Sequence, residues 1–215
     1  GLINTTLKIT TGQKEYILQK INQKVFPNPQ LICENLEILQ NSIQFDQGLG
    51  DILIPINRFL SGKTYHIDEK GDYWRIMPFM DHLVSFDVVE YSWQAEEAAK
   101  AFGRFIKLTK DIKLPDFNDT IPHFHDGTNR MRNLTRAIIV ADPKRLEQAR
   151  TTIDRIQSFS KIFQRIHNLN LPLRLTHNDT KISNVLFDPG LKKFRYVIDL
   201  DTVMAGVIIY DFGDM

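Results

Sequence analysis

The hydrophobic period of this chain changes once, near Pro78, and that change constrains the fold more than any single residue. Ahead of it, residues 5–11 and 15–21 read as two strands around a Gly12-Gln13-Lys14 turn, with Tyr16, Ile17 and Leu18 as β-favouring side chains. Asn28-Pro29 offers an N-cap and a first-turn proline. Ile32, Leu36, Leu39 and Ile43 then recur at steps of three and four, the mark of a helix with one buried face. Residues 52–56, 64–67 and 73–77 read as further strands, the last two joined by the charged turn Asp68-Glu69-Lys70-Gly71-Asp72. Beyond Pro78 the spacing is helical. Residues 93–110 put Ala98, Phe102, Phe105 and Thr109 on one side, with Ser92 in position to cap them. Residues 129–140 form a second helical segment. Residues 143–168 form the longest, opened by Asp142-Pro143, striped by Ile153, Ile156, Phe159, Phe163 and Ile166, and ended before Pro172. Residues 185–188 and 194–199 then read as a hairpin around Pro189-Gly190. The expectation is an α+β chain of two lobes. Residues 1–78 form an antiparallel β lobe with one helix, and residues 79–215 a mainly helical lobe. Pro78-Phe79-Met80 is the hinge between them.

Composition narrows the class. The chain has 215 residues, 42% hydrophobic and 25% charged, the profile of a globular protein rather than a disordered or fibrous one. A formal net charge of +1 with no long basic run gives no pull toward nucleic acid or a membrane surface. One cysteine, Cys33, excludes an internal disulfide and fits a reducing compartment, the cytoplasm. No apolar run approaches the roughly 20 residues a membrane span needs. The chain opens on Gly1-Leu2-Ile3-Asn4 and stops at Asp211-Phe212-Gly213-Asp214-Met215, so it reads as truncated at both ends.

Chemistry concentrates in residues 177–201. His177-Asn178-Asp179-Thr180-Lys181-Ile182-Ser183-Asn184 is followed by the hairpin and then by Val197-Ile198-Asp199-Leu200-Asp201. Asp179 precedes Asn184 by five residues and Asp199 by twenty, a spacing suited to a metal–nucleotide phosphotransfer site. In a loop, Asp179 is placed to accept or orient the proton of an attacking hydroxyl; the plain alternative is a turn aspartate. Asn184 and Asp199 offer an amide oxygen and a carboxylate, which suit Mg²⁺, a hard cation that keeps waters and phosphates in its shell. An acid straight after Tyr196-Val197-Ile198 would be costly if buried alone. Asp201, two residues on, would share a face with Asp199 on a continuing strand and either assist the metal or meet substrate. Lys181 would steady a transferring phosphate, or is a solvated surface lysine. His177 braces the loop. Asp211-Phe212-Gly213 spells a metal-binding triplet, but Asp199 already holds the right distance from Asp179, so Asp211 is read as structural. His123-Phe124-His125-Asp126 has metal-like composition without the second ligand pair a zinc site needs; a stacking or substrate loop is the competing reading.

The His-x-Asp-x-x-x-x-Asn pattern followed by Ile-Asp resembles the aminoglycoside phosphotransferase and choline kinase superfamily, whose fold is two-lobed and protein-kinase-like. A closer resemblance is to bacterial N-acetylhexosamine 1-kinases. It is carried by Gly1-Leu2-Ile3-Asn4-Thr5-Thr6, Tyr16-Ile17-Leu18-Gln19, Ala101-Phe102-Gly103-Arg104-Phe105 and Thr120-Ile121-Pro122-His123-Phe124-His125-Asp126. It continues through Thr176-His177-Asn178-Asp179-Thr180-Lys181 and Ile198-Asp199-Leu200-Asp201-Thr202-Val203-Met204 to Tyr210-Asp211-Phe212-Gly213-Asp214. The resemblance implies ATP as donor, Mg²⁺, and the anomeric hydroxyl of an N-acetylhexosamine as acceptor. It implies Asp179 as catalytic base, Asn184 and Asp199 as metal ligands, and Lys181 beside the transferred phosphate. Asn4 and Asp201 would lie on the substrate and phosphate side. Gly1 would close a glycine-rich turn over the phosphates, and Pro78, Phe79 and Met80 would meet the adenine.

The chain departs from the kinase pattern at one strand position. Where kinases carry a nucleotide-binding lysine it has Gln19, and Lys20 should point to the opposite face. Glu37 is the helix glutamate that would have paired with that lysine. Two other functions stand beside the sugar kinase: a phosphotransferase acting on another hydroxyl compound such as an aminoglycoside, and a non-catalytic nucleotide-binding scaffold.

Overall fold

The computed structural model describes residues 3–43 and 51–215. In chain order its strands and helices are β1 (Thr5–Thr11), β2 (Lys14–Lys20), α1 (Pro29–Ile43), β3 (His66–Ile67), β4 (Tyr73–Pro78), α2 (Ser92–Leu108), α3 (Gly127–Ile139), α4 (Pro143–Ser158), α5 (Ser160–Asn168), β5 (Leu173–Thr176), β6 (Val185–Asp188), β7 (Lys193–Val197), β8 (Met204–Val207) and α6 (Ile208–Asp214). The class is α+β, as expected. The chain divides into two compact units, Gly1–Ile121 with Leu173–Met215, and Pro122–Pro172.

In the first unit β1, β2, β4 and β3 form one antiparallel sheet in that order. The β1–β2 turn holds Gly12 at φ +60, a backbone conformation that costs glycine nothing. Period-two alternation sends Lys20 to one face, where it pairs with Asp72 at 3.1 Å, and Gln19 to the other. Beside the sheet, the α1 stripe of Ile32, Leu36 and Leu39 is buried. Ile32, Cys33 and Leu36 pack with Ile21 and Phe26, and burial pushes the Cys33 thiol up to about 12. The larger core forms where Ala98, Phe102 and Phe105 of α2 pack on Val185, Phe187 and Val197 of the β6–β7 hairpin. The helix is therefore fastened to the hairpin that separates Asn184 from Asp199.

Three expected boundaries differ. Residues 52–56 make no strand; only Leu53 bridges to Val197, because Pro55 has no N–H with which to continue a ladder. Ser92 is the first helical residue of α2 rather than its cap. Gln94 instead reaches back and accepts from the N–H groups of Glu90 and Tyr91 at 2.7 and 2.9 Å. In the second unit the long helix expected over 143–168 is broken at Phe159. There the N–H bonds to Ile156 O three residues back at 3.0 Å, a tightened turn from which α5 restarts. Apolar periodicity runs straight through such a break. Elsewhere in that unit Asp126 caps α3 and Asp142 caps α4. A Cβ on Gly127 would come within 2.5 Å of the Phe163 ring, so α3 and α5 sit at glycine distance.

Candidate active site

The site is built on the loop that leaves β5, and its backbone is held from three directions. Asp211 of α6, fully buried, accepts from the N–H groups of His177 and Asn178 at 3.0 and 2.7 Å, and its carbonyl accepts from Thr180 Oγ1 at 2.5 Å. Thr202 Oγ1 donates to His177 O at 2.7 Å, and Asn178 Nδ2 to Thr202 O at 2.9 Å. The His177 ring meets Phe102 and Phe105 edge-on and bonds to Ile198 O at 3.0 Å through Nε2. Asn178 sits at φ +64, a conformation asparagine tolerates better than most residues. β8 closes over the same loop at Gly206, where a Cβ would lie 2.2 Å from Thr176 Oγ1. The bracing role expected of His177 and the structural role expected of Asp211 both match this geometry.

Asp179 follows on this fixed loop. Its Oδ2 accepts from Lys181 Nζ at 2.7 Å and from Asn184 Nδ2 at 2.8 Å. Asn184 Nδ2 also donates to Asp179 O at 2.8 Å, so its amide oxygen is the group left to offer a cation. Asn184 ends a 3₁₀ turn, Ile182–Asn184, and is buried, whereas Lys181 keeps 43% of its side chain in solvent. The Ile198 N–H donates to Asn184 O at 2.9 Å, which brings the end of β7 beside Asn184.

Asp199 departs from its expected strand-end geometry. β7 stops at Val197, and Asp199 is left-handed at φ 59, ψ 53, ahead of the 3₁₀ turn Leu200–Thr202. Its side chain retains exposed surface, yet its carboxyl is raised above the usual range. Protein packed around the carboxyl is the first cause and the Asp201 carboxylate the second; Arg75 and His177 pull it down, and Asp179 pushes it up. An amide oxygen and a carboxylate made uncomfortable by neighbouring acids suit a hard divalent cation. Among the described residues no group of three or more His, Cys, Asp or Glu side chains could hold a metal. A cation at Asn184 and Asp199 would therefore rely on water and phosphate for its other ligands.

Because the chain turns at Asp199, Asp201 does not share a strand face with it. Asp201 Oδ1 pairs with Arg75 Nη1, with only 3% of the Asp201 and 5% of the Arg75 side chain exposed, and Oδ2 accepts from Asn4 Nδ2 at 2.7 Å. Asn4 Oδ1 accepts from the Asn22 N–H at 2.9 Å. Asp201 and Asn4, expected on the substrate side, are thus buried partners of each other. Gln19 joins the same network, its Oε1 accepting from Arg75 Nε and Nη2 at 3.0 and 2.8 Å and its Nε2 donating to Thr6 Oγ1 at 3.0 Å. Burial opposes the Arg75 charge, but the Asp201 carboxylate more than restores it and raises its pKa. Glu37 pairs elsewhere, with Arg58 at 3.1 Å. Arg75 is the site residue sequence reasoning missed; its signal was a lone charge inside the apolar run Tyr73-Trp74-Arg75-Ile76-Met77.

Pro78, Phe79 and Met80 are half-buried where β4 ends; Pro78 pairs with Tyr16, and the Phe79 N–H donates to Glu15 O at 3.1 Å. Gly1 lies outside the described residues. In the second unit the His123–Asp126 segment is a helix entry: Asp126 accepts from the Asn129 N–H at 2.9 Å, and the Phe124 and His125 rings meet edge-on at 4.6 Å between centroids.

Known proteins resemble the chain along its length. A family profile described as APH, phosphotransferase enzyme family, matches residues 1–215. Among solved structures, an amicoumacin kinase in complex with AMP-PNP, Ca²⁺ and Ami is 15% identical with a TM-score of 0.63, over 100% of this chain and 61% of that one. A spectinomycin phosphotransferase in complex with ADP and spectinomycin is 16% identical with a TM-score of 0.61, over 97% and 63%. Choline kinase LicA from Streptococcus pneumoniae is 13% identical with a TM-score of 0.56, over 97% and 63%. The fold is therefore kinase-like. The chain spans about three fifths of the length of these structures.

Proposed function

The chain belongs to the phosphotransferase enzyme family, and on that premise we propose that the full-length protein transfers the γ-phosphoryl group of ATP to a hydroxyl of a small molecule. The observation that carries this reading is the bonding at Asp179. One carboxylate oxygen takes both Lys181 Nζ and Asn184 Nδ2, so the proton acceptor, the cation and the amide are held together. Asp179 accepts and orients the acceptor's hydroxyl proton. Lys181 is free to swing from Asp179 to the transferring phosphoryl as charge develops there. Asn184 and Asp199 would hold Mg²⁺, which when bound would supply charge neutralisation for the ATP phosphates. On this reading Pro78, Phe79 and Met80 border the adenine, and Gln19 lies on the phosphate side. The two lobes meet at that hinge, with residues 1–78 on the nucleotide side.

The acceptor we propose is the anomeric hydroxyl of an N-acetylhexosamine, giving a sugar 1-phosphate. The motifs resembling hexosamine 1-kinases, from Asn4-Thr5-Thr6 to Asp199-Leu200-Asp201-Thr202, support it. A second reading, an aminoglycoside-type acceptor, is favoured by the structural likeness to a spectinomycin phosphotransferase. The test is a panel of N-acetylhexosamines and aminoglycosides given to the full-length protein with ATP and Mg²⁺. An acid-labile sugar 1-phosphate is the expected product. Phosphate on another carbon, or on the antibiotic alone, removes the 1-kinase assignment. Nucleotide binding without turnover on any acceptor points to a scaffold.

A further inference from the structure

We propose that Arg75, reaching in from β4, is a positioning residue that holds the Asp199 turn through Asp201 and supplies the fixed buried positive charge where β2 carries Gln19 instead of lysine. The inference rests on the phosphotransfer reading above and adds a residue that reading does not use.

Three observations converge on Arg75. In the sheet register Gln19 stands opposite it, and one side-chain oxygen of Gln19 accepts from two of its nitrogens at 3.0 and 2.8 Å. That contact is available to glutamine and not to lysine, which has no acceptor. The third guanidinium nitrogen is thereby aimed at Asp201, a pair buried on both sides. Asp201 is restrained at its other acceptors as well, by Asn4 Nδ2 at 2.7 Å and by Thr120 Oγ1, which donates to its backbone carbonyl at 2.7 Å. Asp199, two residues earlier, sits in the left-handed region, which aspartate enters more readily than most residues but still as a minority conformation, so the bonds that pin Asp201 favour it. The rigid fork of arginine can grip Gln19 and Asp201 together; the single ammonium of lysine cannot span both in the same geometry. The sheet is thereby tied, through Arg75 and Asp201, to the turn that carries Asp199.

The test uses the full-length protein and reads ADP binding with and without Mn²⁺, beside the melting temperature. Arg75→Lys is expected to fold and to bind ADP alone as the parent does, but to lose Mn²⁺ affinity by about 10–100-fold, the range seen when outer residues that orient a metal site are disturbed, here through Asp201 and the turn it fixes. The Arg75→Met, Asp201→Asn double variant removes the buried pair without stranding a charge and should show the same selective loss. A folded variant with parental Mn²⁺ affinity overturns the proposal. So does an equal loss of ADP binding with and without metal, and so does failure of both variants to fold, each of which makes the pair merely structural. If the parent itself binds no Mn²⁺–ADP, the phosphotransfer reading falls too. If the parent binds and the variants match it, only the inference about Arg75 falls.

Discussion

Asp211 opens a triplet that spells a metal ligand, yet its bonding predicts that its loss is felt in folding first. In Asp211→Asn one oxygen still accepts from one backbone N–H, while the new amide nitrogen faces the other. The bonds at risk are to the His177 and Asn178 N–H groups, at 3.0 and 2.7 Å, around a side chain with no exposure. A hydrogen bond to a charged acceptor contributes about 1.5–3 kcal/mol, and an orphaned buried donor costs a further 1–3 or so. The expected destabilisation is therefore about 2.5–6 kcal/mol, a large share of the roughly 5–15 kcal/mol by which a domain is stable. Urea unfolding of the full-length protein measures it. Amide hydrogen exchange should quicken at His177 and Asn178, while the Thr180 hydroxyl, which bonds to the Asp211 carbonyl, keeps its partner. A loss under about 1 kcal/mol, with Mn²⁺ affinity collapsing instead, would refute the reasoning and return Asp211 to the metal.

Other substitutions probe neighbouring parts of the site. Asp179→Asn should lower kcat by about 10²–10⁴-fold at an unchanged melting temperature, the worth of a positioned base; near-full turnover in steady-state assays removes Asp179 from that role. Asp199→Asn should raise the melting temperature of metal-free protein at neutral pH. The folded-state pKa of Asp199 is raised, so the protonated form is the favoured one and its stabilisation fades as pH rises through the folded value. The advantage of the asparagine variant should shrink as pH falls toward 3.8, and a melting series in chelator that shows no such convergence counts against it. Gly206→Ala puts a Cβ 2.2 Å from Thr176 Oγ1 and 2.7 Å from Asn178 Oδ1, and about 1–3 kcal/mol of stability should go with it. An alanine protein with parental urea stability would show that the loop gives way freely.

Much of the architecture was legible because its causes are local. The β1–β2 hairpin, α1, α3 and the β6–β7 hairpin follow from spacing, turn glycines and caps. The break at Phe159 was not legible, since a turn bonded three residues back leaves the apolar stripe intact. Nor was the missing strand at 52–56, where Pro55 overrode an apolar run. At the site, Asp179 and Asn184 lie close along the chain, so their spacing alone placed them in one loop. Asp199 and Asp201 were assigned to one strand face by alternation, which ceases to apply once the backbone turns left-handed.

The sequence by itself determined the order of β-rich and helical segments and the residue types that meet around Asp179, because hydrophobic period and short loops act between near neighbours. Only the tertiary structure decided that Arg75 and Asp201, 126 positions apart, form one buried pair with Gln19 and Asn4 as its supports. That pairing depends on the β2–β4 register and the turn at Asp199. A buried charge must find its opposite wherever the fold brings one within reach.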